Sequence, residues 1–146
     1  LCFIVKEGKV LLIHKKTGLG TGKINAPGGR IEAGESPMEA AVRETVEETG
    51  LTPLNLDERV ELSFIFTNGY SLHGRAFFAS DCTGEMTETP EADPFWCDLE
   101  EIPFDSMWED DPLWIPRALE GEKLKGLFIF DEDRMLSHHI IEPENN

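Results

Sequence analysis

The stretch from Gly29 to Leu51 constrains the fold of this chain more than any other, because it predicts a glycine loop followed by a capped helix. Ser36 is a good N-cap, Pro37 fits the first helical position, and Glu39 lies where a capping box requires an acidic residue. Gly50 is a residue at which helices commonly end. The segment therefore predicts one helix with defined ends.

Three carboxylates are expected to share one face of this helix. Residues three and four positions apart lie on the same side of an α-helix, so Glu44, Glu47 and Glu48 form one acidic cluster with Arg43 along its edge. Like charges at this spacing destabilise a helix, and a cation would offset that cost. Hard oxygen ligands in this number suit Mg²⁺ or Mn²⁺. The alternative interpretation is an acidic helix face that contacts solvent alone.

The loop before the helix contains residues that let the backbone approach a ligand. Pro27, Gly28, Gly29 and Gly34 allow sharp turns, and glycine has no side chain to prevent close contact. We therefore expect the backbone at Gly28 and Gly29 to contact a substrate. A glycine loop, a helix cap and an acidic helical face in this order predict a metal site for phosphate chemistry.

The same segment resembles the Nudix box, G-x5-E-x7-R-E-U-x-E-E-x-G-U, where U is a bulky aliphatic residue. The residues that match at the required spacing are Gly29, Glu35, Arg43, Glu44, Glu47, Glu48, Gly50 and Leu51. Thr45 departs from the pattern, and we expect it to face the core and to affect packing more than chemistry. The resemblance implies an α/β Nudix fold with a mixed β-sheet sandwiched between helices, in a single Nudix hydrolase domain over residues 1–146.

Hydrophobic periodicity predicts the other elements. LCFIV and VLLIHKK are expected to form a β-hairpin around KEGK, and residues 59–67 and 74–80 an antiparallel pair around NGYSLH. EADPFWCDLEEIP predicts a strand that ends at Pro103. A second helix is expected from Pro112 to Leu119, stopped by Gly121, and LKGLFIF and RMLSHHIIE predict a final hairpin.

The formal net charge of −16 limits the classes of partner. It argues against electrostatic binding to a nucleic-acid backbone or to an anionic membrane. A polyphosphate substrate would also be repelled unless divalent cations bridged it to the protein. The charge therefore favours a small-molecule nucleotide bound through metal, and the sequence leaves the oligomeric state open, a monomer included.

Cysteine usage and hydropathy predict a cytoplasmic protein. Cys2, Cys82 and Cys97 are odd in number and lack a zinc-binding pattern, so free thiols in a reducing compartment are expected. No apolar run approaches the ~20 residues of a membrane span, and no signal peptide is visible. The chain opens inside an apolar strand, so we expect its native start to lie upstream.

Outside the box, the chain resembles the MutT-homologue oxidised-purine nucleoside triphosphatases over nearly its whole length. VLLIHKK, GKINAPGGRIEAGES and IPFDSMWEDDPLWIPRALEGEKLKGLFIF carry this resemblance. It implies that Asn25 hydrogen-bonds the purine, that Trp108 stacks on the base, and that Asp110 and Asp111 read the edge of the base. From the residues alone, the two aspartates could instead cap the helix that begins near Pro112.

The resemblance also implies that Phe64 lines the base pocket and that Lys15 lies near the pocket and the phosphates. Phe64 could instead be a core residue of an alternating strand, and Lys15 an ordinary surface lysine. Four positions depart from the family pattern, which leaves the preferred base open; they are Leu19, Ala26, Pro27 and Glu109. The four histidines show no metal-ligand spacing, so we assign them no chemistry.

The implied activity is metal-dependent hydrolysis of an oxidised or modified purine nucleoside triphosphate, such as an 8-oxo-dGTP-like substrate, to a monophosphate and pyrophosphate. The implied ligands of Mg²⁺ (or Mn²⁺) are Glu44, Glu47, Glu48 and the carbonyl of Gly28. Glu91 would reach in from a loop as a further ligand or base, although an exposed loop carboxylate is the alternative. Arg43 is expected to orient Glu47, its i+4 neighbour.

Two other functions use the same motif. Removal of pyrophosphate from RNA 5′ ends, or cleavage of dinucleoside polyphosphates, would keep the metal site, although RNA ends would favour a basic surface. A non-catalytic nucleotide sensor would keep the same fold and would lack the hydrolytic activity. Degenerate sensors commonly lose the carboxylates of the box, whereas this chain retains all of them.

Overall fold

The structure, a computed structural model, describes residues 1–143 of the 146-residue chain. The strands are β1 (Cys2–Lys6), β2 (Lys9–Lys15), β3 (Ile24–Asn25), β4 (Leu51–Leu54), β5 (Asp57–Phe66), β6 (Ser71–Ala79), β7 (Asp81–Gly84), β8 (Ala92–Asp98), β9 (Leu124–Asp131) and β10 (Arg134–Ile141). The helices are α1 (Pro37–Thr49) and α2 (Asp111–Leu119). Of the helices in the described range, none is long and apolar enough to span a membrane.

A mixed sheet organises the fold, with the strand order β10, β9, β5, β6, β1, β2. The pairs β1–β6 and β5–β9 are parallel, whereas β9–β10, β5–β6 and β1–β2 are antiparallel. One side of β2 pairs along its whole length with β8, from Lys9 opposite Asp98 to Lys15 opposite Ala92. The other side of β2 is therefore shared between β1 and β3.

This sharing produces a fork in the sheet. Val5 of β1 pairs with Val10 near the start of β2, whereas β3 pairs with the far end of β2. The chain after β3 then crosses to β1, where the backbone N–H of Cys2 donates to the carbonyl of Pro27 at 2.9 Å. The fork fixes the following Gly28–Gly29 loop beside the N-terminal end of β1.

Each face of the sheet carries its own hydrophobic core, because neighbouring residues of a strand point to opposite faces. Phe3 packs with Trp114 of α2 on one face, and their rings meet edge to face at 5.8 Å. Ile4 packs with Ala41 of α1 and with Leu51 on the other face. The predicted mixed sheet between helices is confirmed, with one helix on each face.

The box helix has the predicted ends. The Ser36 hydroxyl accepts from the Glu39 N–H and the Glu39 carboxylate accepts from the Ser36 N–H, each at 3.1 Å, which completes the capping box. Gly50 ends the helix in the left-handed region, with φ 78°. Thr45 is fully buried, and its hydroxyl donates to the carbonyl of Ala41 at 2.7 Å. The expectation that Thr45 faces the core is confirmed.

The predicted hairpins β1–β2 and β9–β10 and the antiparallel pair β5–β6 are confirmed, but two strand boundaries differ from the prediction and one strand pair was not predicted. β8 ends at Asp98 rather than Pro103, because its pairing partner β2 begins opposite that residue and a 3-10 turn at Leu99–Glu101 follows. β6 begins at Ser71, so part of the expected NGYSLH loop belongs to the strand. The β4–β7 pair was not predicted, since each strand has only four residues and pairs with a distant segment.

The end of α1 provides a stability test. A side chain at Gly50 would be strained at φ 78°, and its Cβ would lie 2.5 Å from the carbonyl oxygen of Glu85. At Gly121, φ is 98° but no atom lies within 4 Å of that position. We expect Gly50→Ala to lower the free energy of unfolding by about 1–3 kcal/mol more than Gly121→Ala does, measured by urea denaturation. Equal losses of unfolding free energy in the two variants would show that the structure relieves the contact between the new side chain and the Glu85 carbonyl without cost.

Candidate active site

Three carboxylates from two parts of the chain meet beside α1. One carboxylate oxygen each from Glu44, Glu48 and Glu91 lies within 4.8 Å of the other two. Glu44 and Glu48 are four residues apart on the helix, and Glu91 immediately precedes β8. Within the described residues, Glu47 does not belong to this trio, and its side chain is 49% exposed. The loop thus brings Glu91 to the two helical carboxylates that sequence spacing had placed on one face.

Arg43 connects the acidic face of α1 to the loop before it. Its Nε and Nη2 donate to the two carboxylate oxygens of Glu35 at 2.8 and 3.0 Å, which is a bidentate pair. Its Nη1 donates to Glu44 at 2.9 Å and to Glu47 at 3.2 Å, and Nη2 also donates to the carbonyl of Arg30 at 2.9 Å. From the sequence we predicted that Arg43 orients Glu47. That contact is present, but the hydrogen bonds of Arg43 to Glu35 and Glu44 are shorter.

The backbone of Gly29 lies close to the carboxylate of Glu44 on α1. A Cβ at this position would overlap the carboxylate of Glu44. The glycine loop therefore lies directly against the acidic face of the helix. Substitution of Gly29 would displace Glu44 from both Arg43 and the carboxylate trio.

Glu48 is a buried carboxylate with an unsatisfied oxygen. Its Oε2 has no hydrogen-bond partner among the described residues. Burial raises the pKa of Glu48 to about 8, the neighbouring charge of Glu44 adds to this rise, and Lys15 opposes it. A divalent cation would provide the missing partner and would favour the ionised carboxylate. Glu44, Glu48 and Glu91 are hard oxygen donors, so these residues fit such an ion.

One cavity of about 670 Å³ joins this region to the predicted base-binding residues. The predicted site residues that line it are Lys15, Asn25, Gly28, Gly29, Glu48, Phe64, Trp108, Asp110 and Asp111. Such a volume is within the range of about 300–1,000 Å³ that is typical of small-molecule sites. The other predicted site residues (Arg43, Glu44, Glu47 and Glu91) are not among its described lining residues.

An aromatic wall forms the end of the cavity far from α1. Trp108 meets Phe130 edge to face at 5.5 Å and Phe66 at 6.3 Å. Phe64 stacks on Phe128 at 5.4 Å, so it belongs both to the cavity lining and to the packing of the sheet. These contacts fix the indole of Trp108 in one orientation, as a platform for a flat ligand requires.

Asp110 and Asp111 are a buried pair of carboxyl groups, with 1% and 3% of their surface exposed. Asp110 accepts a hydrogen bond from the indole N–H of Trp114 at 2.8 Å, and Asp111 accepts one from the backbone N–H of Trp108 at 3.2 Å. Asp110 makes no side-chain cap bond to α2, and its Oδ1 has no partner among the described residues. Both residues line the cavity, and the pair therefore leaves one buried carboxyl oxygen, Asp110 Oδ1, without a partner among the described residues.

Burial raises the pKa of both groups above that of an ordinary aspartate. The rise is to about 6 for Asp110, whereas for Asp111 the charge of Asp110 is a second cause after burial. Two coupled carboxyl groups of this kind can hold one proton between them. The pair can then offer a hydrogen-bond donor and an acceptor side by side.

Several cavity residues were not found from the sequence. Phe66, Tyr70 and Leu72 line the cavity because the β5–β6 hairpin folds over it. His73 also lines it, with its Nδ1 2.9 Å from the hydroxyl of Ser63. Strand alternation could have indicated Phe66, which lies two residues after Phe64, but the sequence carried no signal for the others.

The raised pKa of Asp110 predicts how stability depends on pH. Because its pKa rises from 3.8 to about 6 on folding, the native state binds more protons than the unfolded state between those values, and stability falls as pH rises through that window. We expect Asp110→Asn to remove this loss of stability at higher pH, because asparagine does not titrate. The free energy of unfolding of this variant, relative to the natural chain, should increase by about 1–3 kcal/mol from pH 4 to pH 8.

Asp105→Asn is the matched control for this experiment, because Asp105 is exposed. Urea denaturation at several pH values would measure both variants against the natural chain. If the difference in unfolding free energy between Asp110→Asn and the natural chain stays constant from pH 4 to pH 8, the raised pKa of Asp110 is contradicted.

Comparisons with known proteins agree with this geometry. A family model described as the NUDIX domain matches residues 1–118. The "Oxidized purine nucleoside triphosphate hydrolase" of Danio rerio is 39% identical over 147 residues, which cover 99% of this chain and 94% of the relative. The protein of the same name from Mus musculus is 36% identical over the same shares of both chains. The crystal structure of a MutT protein from Bacillus halodurans has a TM-score of 0.84 at 31% identity, covering 95% of this chain and 94% of the other. The chain therefore belongs to the NUDIX hydrolase family.

Proposed function

We propose that this enzyme hydrolyses nucleoside triphosphates that carry oxidised or otherwise modified purines, and that it releases a nucleoside monophosphate and pyrophosphate. The observation that carries the proposal is the continuous cavity that is lined by Trp108 and the Asp110–Asp111 pair and also by the buried carboxylate of Glu48. A base and a phosphate chain can occupy the two ends of such a cavity together. The names of the relatives from Danio rerio and Mus musculus support the same substrate class.

Base recognition is assigned to the end of the cavity that contains Trp108. The indole offers a flat aromatic surface on which a purine can stack. An oxidised purine carries a C8 carbonyl and an N7–H in place of a bare N7 acceptor, so its edge mixes donors and acceptors. Asp110 and Asp111, with one proton between them, can both donate to and accept from such an edge. Asn25 accepts from the N–H of Ala26 through its side-chain oxygen at 2.8 Å, which leaves its amide nitrogen to donate to the base.

Phosphate binding is assigned to the end formed by the Gly28–Gly29 loop and α1. Nudix hydrolases generally use divalent metal ions, and we propose Glu44, Glu47, Glu48, Glu91 and the carbonyl of Gly28 as the residues that would hold them. Such ions, when bound, neutralise phosphate charge and lower the pKa of a coordinated water. Lys15 lines the same cavity and places a fixed positive charge near Glu48.

The protein's own residues would position the reacting groups. Arg43 holds Glu44 and Glu47 in place through its guanidinium group, so it acts by orienting carboxylates rather than by contacting the substrate. Glu91 lies outside the helix and is exposed, which makes it the member of the trio that can move to accept a proton from an attacking water.

Pyrophosphate release from a panel of nucleoside triphosphates would test the substrate class. We expect turnover of oxidised purine triphosphates to exceed that of the unmodified purine and pyrimidine triphosphates, and we expect it to stop when a chelator removes Mg²⁺. Equal and weak rates on every member of the panel would favour dinucleoside polyphosphates or RNA 5′ ends as substrates. Binding without any release of pyrophosphate would indicate a sensor.

Substitution of the carboxylates would test their assigned roles. Glu48→Gln removes a charged oxygen that no other described residue satisfies, so we expect kcat to fall by about 100-fold or more. Glu44→Gln should behave similarly, whereas Glu47→Gln should lower kcat by a smaller factor, because Glu47 is half exposed and lies outside the trio. Glu100→Gln, on an exposed turn, is the control. Full activity of Glu48→Gln at saturating Mg²⁺ would refute the metal assignment.

We also propose Mg²⁺ as the metal ion that acts in the cell and the cytoplasm as the place of action. The ligand set consists of carboxylates and a carbonyl, which suits Mg²⁺ better than a softer metal. Cys2, Cys82 and Cys97 are all free thiols, as expected in a reducing compartment.

A further inference from the structure

Lys23 lies against Trp108, although neither the sequence nor the assigned function gives it a role. Its side chain comes from the residue before β3, and its Nζ lies 5.2 Å from the centre of the indole ring. The lysine side chain is only 26% exposed, so its ammonium group is partly withdrawn from water. A cation over an aromatic face at this distance is attracted by the electrons of the ring.

The segment that carries Lys23 is fixed against the indole by its backbone. The N–H of Lys23 donates to the carbonyl of Gly20 at 2.9 Å, and its carbonyl accepts from the N–H of Lys15 at 3.0 Å. Gly20 itself touches Trp108, since a Cβ there would lie 2.9 Å from the indole nitrogen. This segment therefore forms a wall against Trp108, and Lys23 occupies a defined place in it.

The described lining of the cavity includes the indole but not the cation that lies over it. Trp108 is among the described residues that line the cavity, whereas Lys23 and Gly20 are not. On the proposed arrangement, a base that enters the cavity meets the face of the ring that Lys23 does not cover. The arrangement is then a cation, an indole and a base in succession, with the ammonium group drawing electron density away from the face that the base contacts.

Lys23 also acts on the aspartate pair. Its positive charge lowers the pKa of Asp111, in opposition to burial and to the charge of Asp110. Among the described residues, the lysine and arginine side chains that line the cavity are Lys15, Arg30 and Arg75. On the outer side, Asp133 of the β9–β10 turn lies 3.4 Å from the Lys23 ammonium group. Glu109 reaches the adjoining start of β10, where it accepts from the N–H of Met135 at 2.7 Å.

We propose that Lys23 is a positioning residue for base recognition, which supports Trp108 from behind and supplies a positive charge near Asp111. This inference rests on the proposed function, because it assigns the base to the Trp108 end of the cavity. Lys23 does not touch the base in this arrangement. It determines how strongly the ring and the carboxyl pair bind the base.

Steady-state kinetics of Lys23→Met would test the proposal. We expect KM for the preferred purine triphosphate to rise about 3- to 10-fold while kcat stays within about twofold, because the lost cation affects binding of the base and leaves the metal site intact. Binding of the product monophosphate without metal, measured by calorimetry, should weaken by the same factor. Lys23→Arg should restore both values, since it keeps the charge and can stack on the indole.

The pH profile gives a second readout. Loss of the Lys23 charge lets the pKa of Asp111 rise further, so the pH dependence of kcat/KM that the carboxyl pair controls should move to higher pH in Lys23→Met and return in Lys23→Arg. A merely structural role would leave the profile in place. Lys125→Met, which removes a lysine on the exposed side of β9, is the charge-matched control.

Asp133→Asn separates the proposal from a simpler role of Lys23 as a link to the β9–β10 turn. It removes the ion pair but keeps the ammonium group over Trp108, so KM should stay within about twofold of the natural value. If Asp133→Asn reproduces the effect of Lys23→Met, the link alone explains the result and the proposal is wrong. Unchanged or tighter binding by Lys23→Met would also overturn it. If the natural enzyme itself releases no pyrophosphate from any purine triphosphate, the proposed function fails instead.

Discussion

The guanidinium group of Arg43 is the contact on which the geometry of the site depends. It binds Glu35 with two parallel hydrogen bonds, and from the same position it reaches Glu44 and the carbonyl of Arg30. One planar cation thereby fixes the glycine loop, the start of α1 and a carboxylate of the trio relative to one another. A lysine could not make these contacts together, because its single ammonium group lacks the fork of donors. In this chain, Arg43 therefore contributes through the geometry of its guanidinium group as much as through its charge.

The two ends of the cavity are built on the same physical principle. Glu48 at one end and Asp110 at the other are buried carboxyl groups, and each has an oxygen without a partner in the described part of the chain. Such groups destabilise a fold, and their cost is recovered when a ligand supplies the missing partner. Under the proposed function, cations would recover it at Glu48, and the edge of a base would recover it at the Asp110–Asp111 pair. Ligand binding should therefore stabilise this protein from both ends of its cavity.

Local sequence signals predicted α1 well, because the cap at Ser36, the stop at Gly50 and the shared face of Glu44 and Glu48 depend on residues a few positions apart. Periodicity also predicted the hairpins, where strands adjacent in sequence pair. It could not predict the partners that distant segments bring together. The β4–β7 pair and the approach of Lys23 to Trp108 depend on long-range packing, for which no nearby residue gives a signal. The base-binding residues were predicted through resemblance rather than through spacing, and their assignment remains a proposal.

The fork in the sheet has a consequence for how specificity can evolve. The strand that carries Asn25 has only two residues and pairs with the end of β2 alone, while β1 continues into the main sheet through β6. Few backbone hydrogen bonds of the scaffold therefore depend on that short strand. Under the proposed contact of Asn25 with the base, substitutions in this strand and in the loop before it would change the preferred nucleobase without disturbing the framework that carries out hydrolysis.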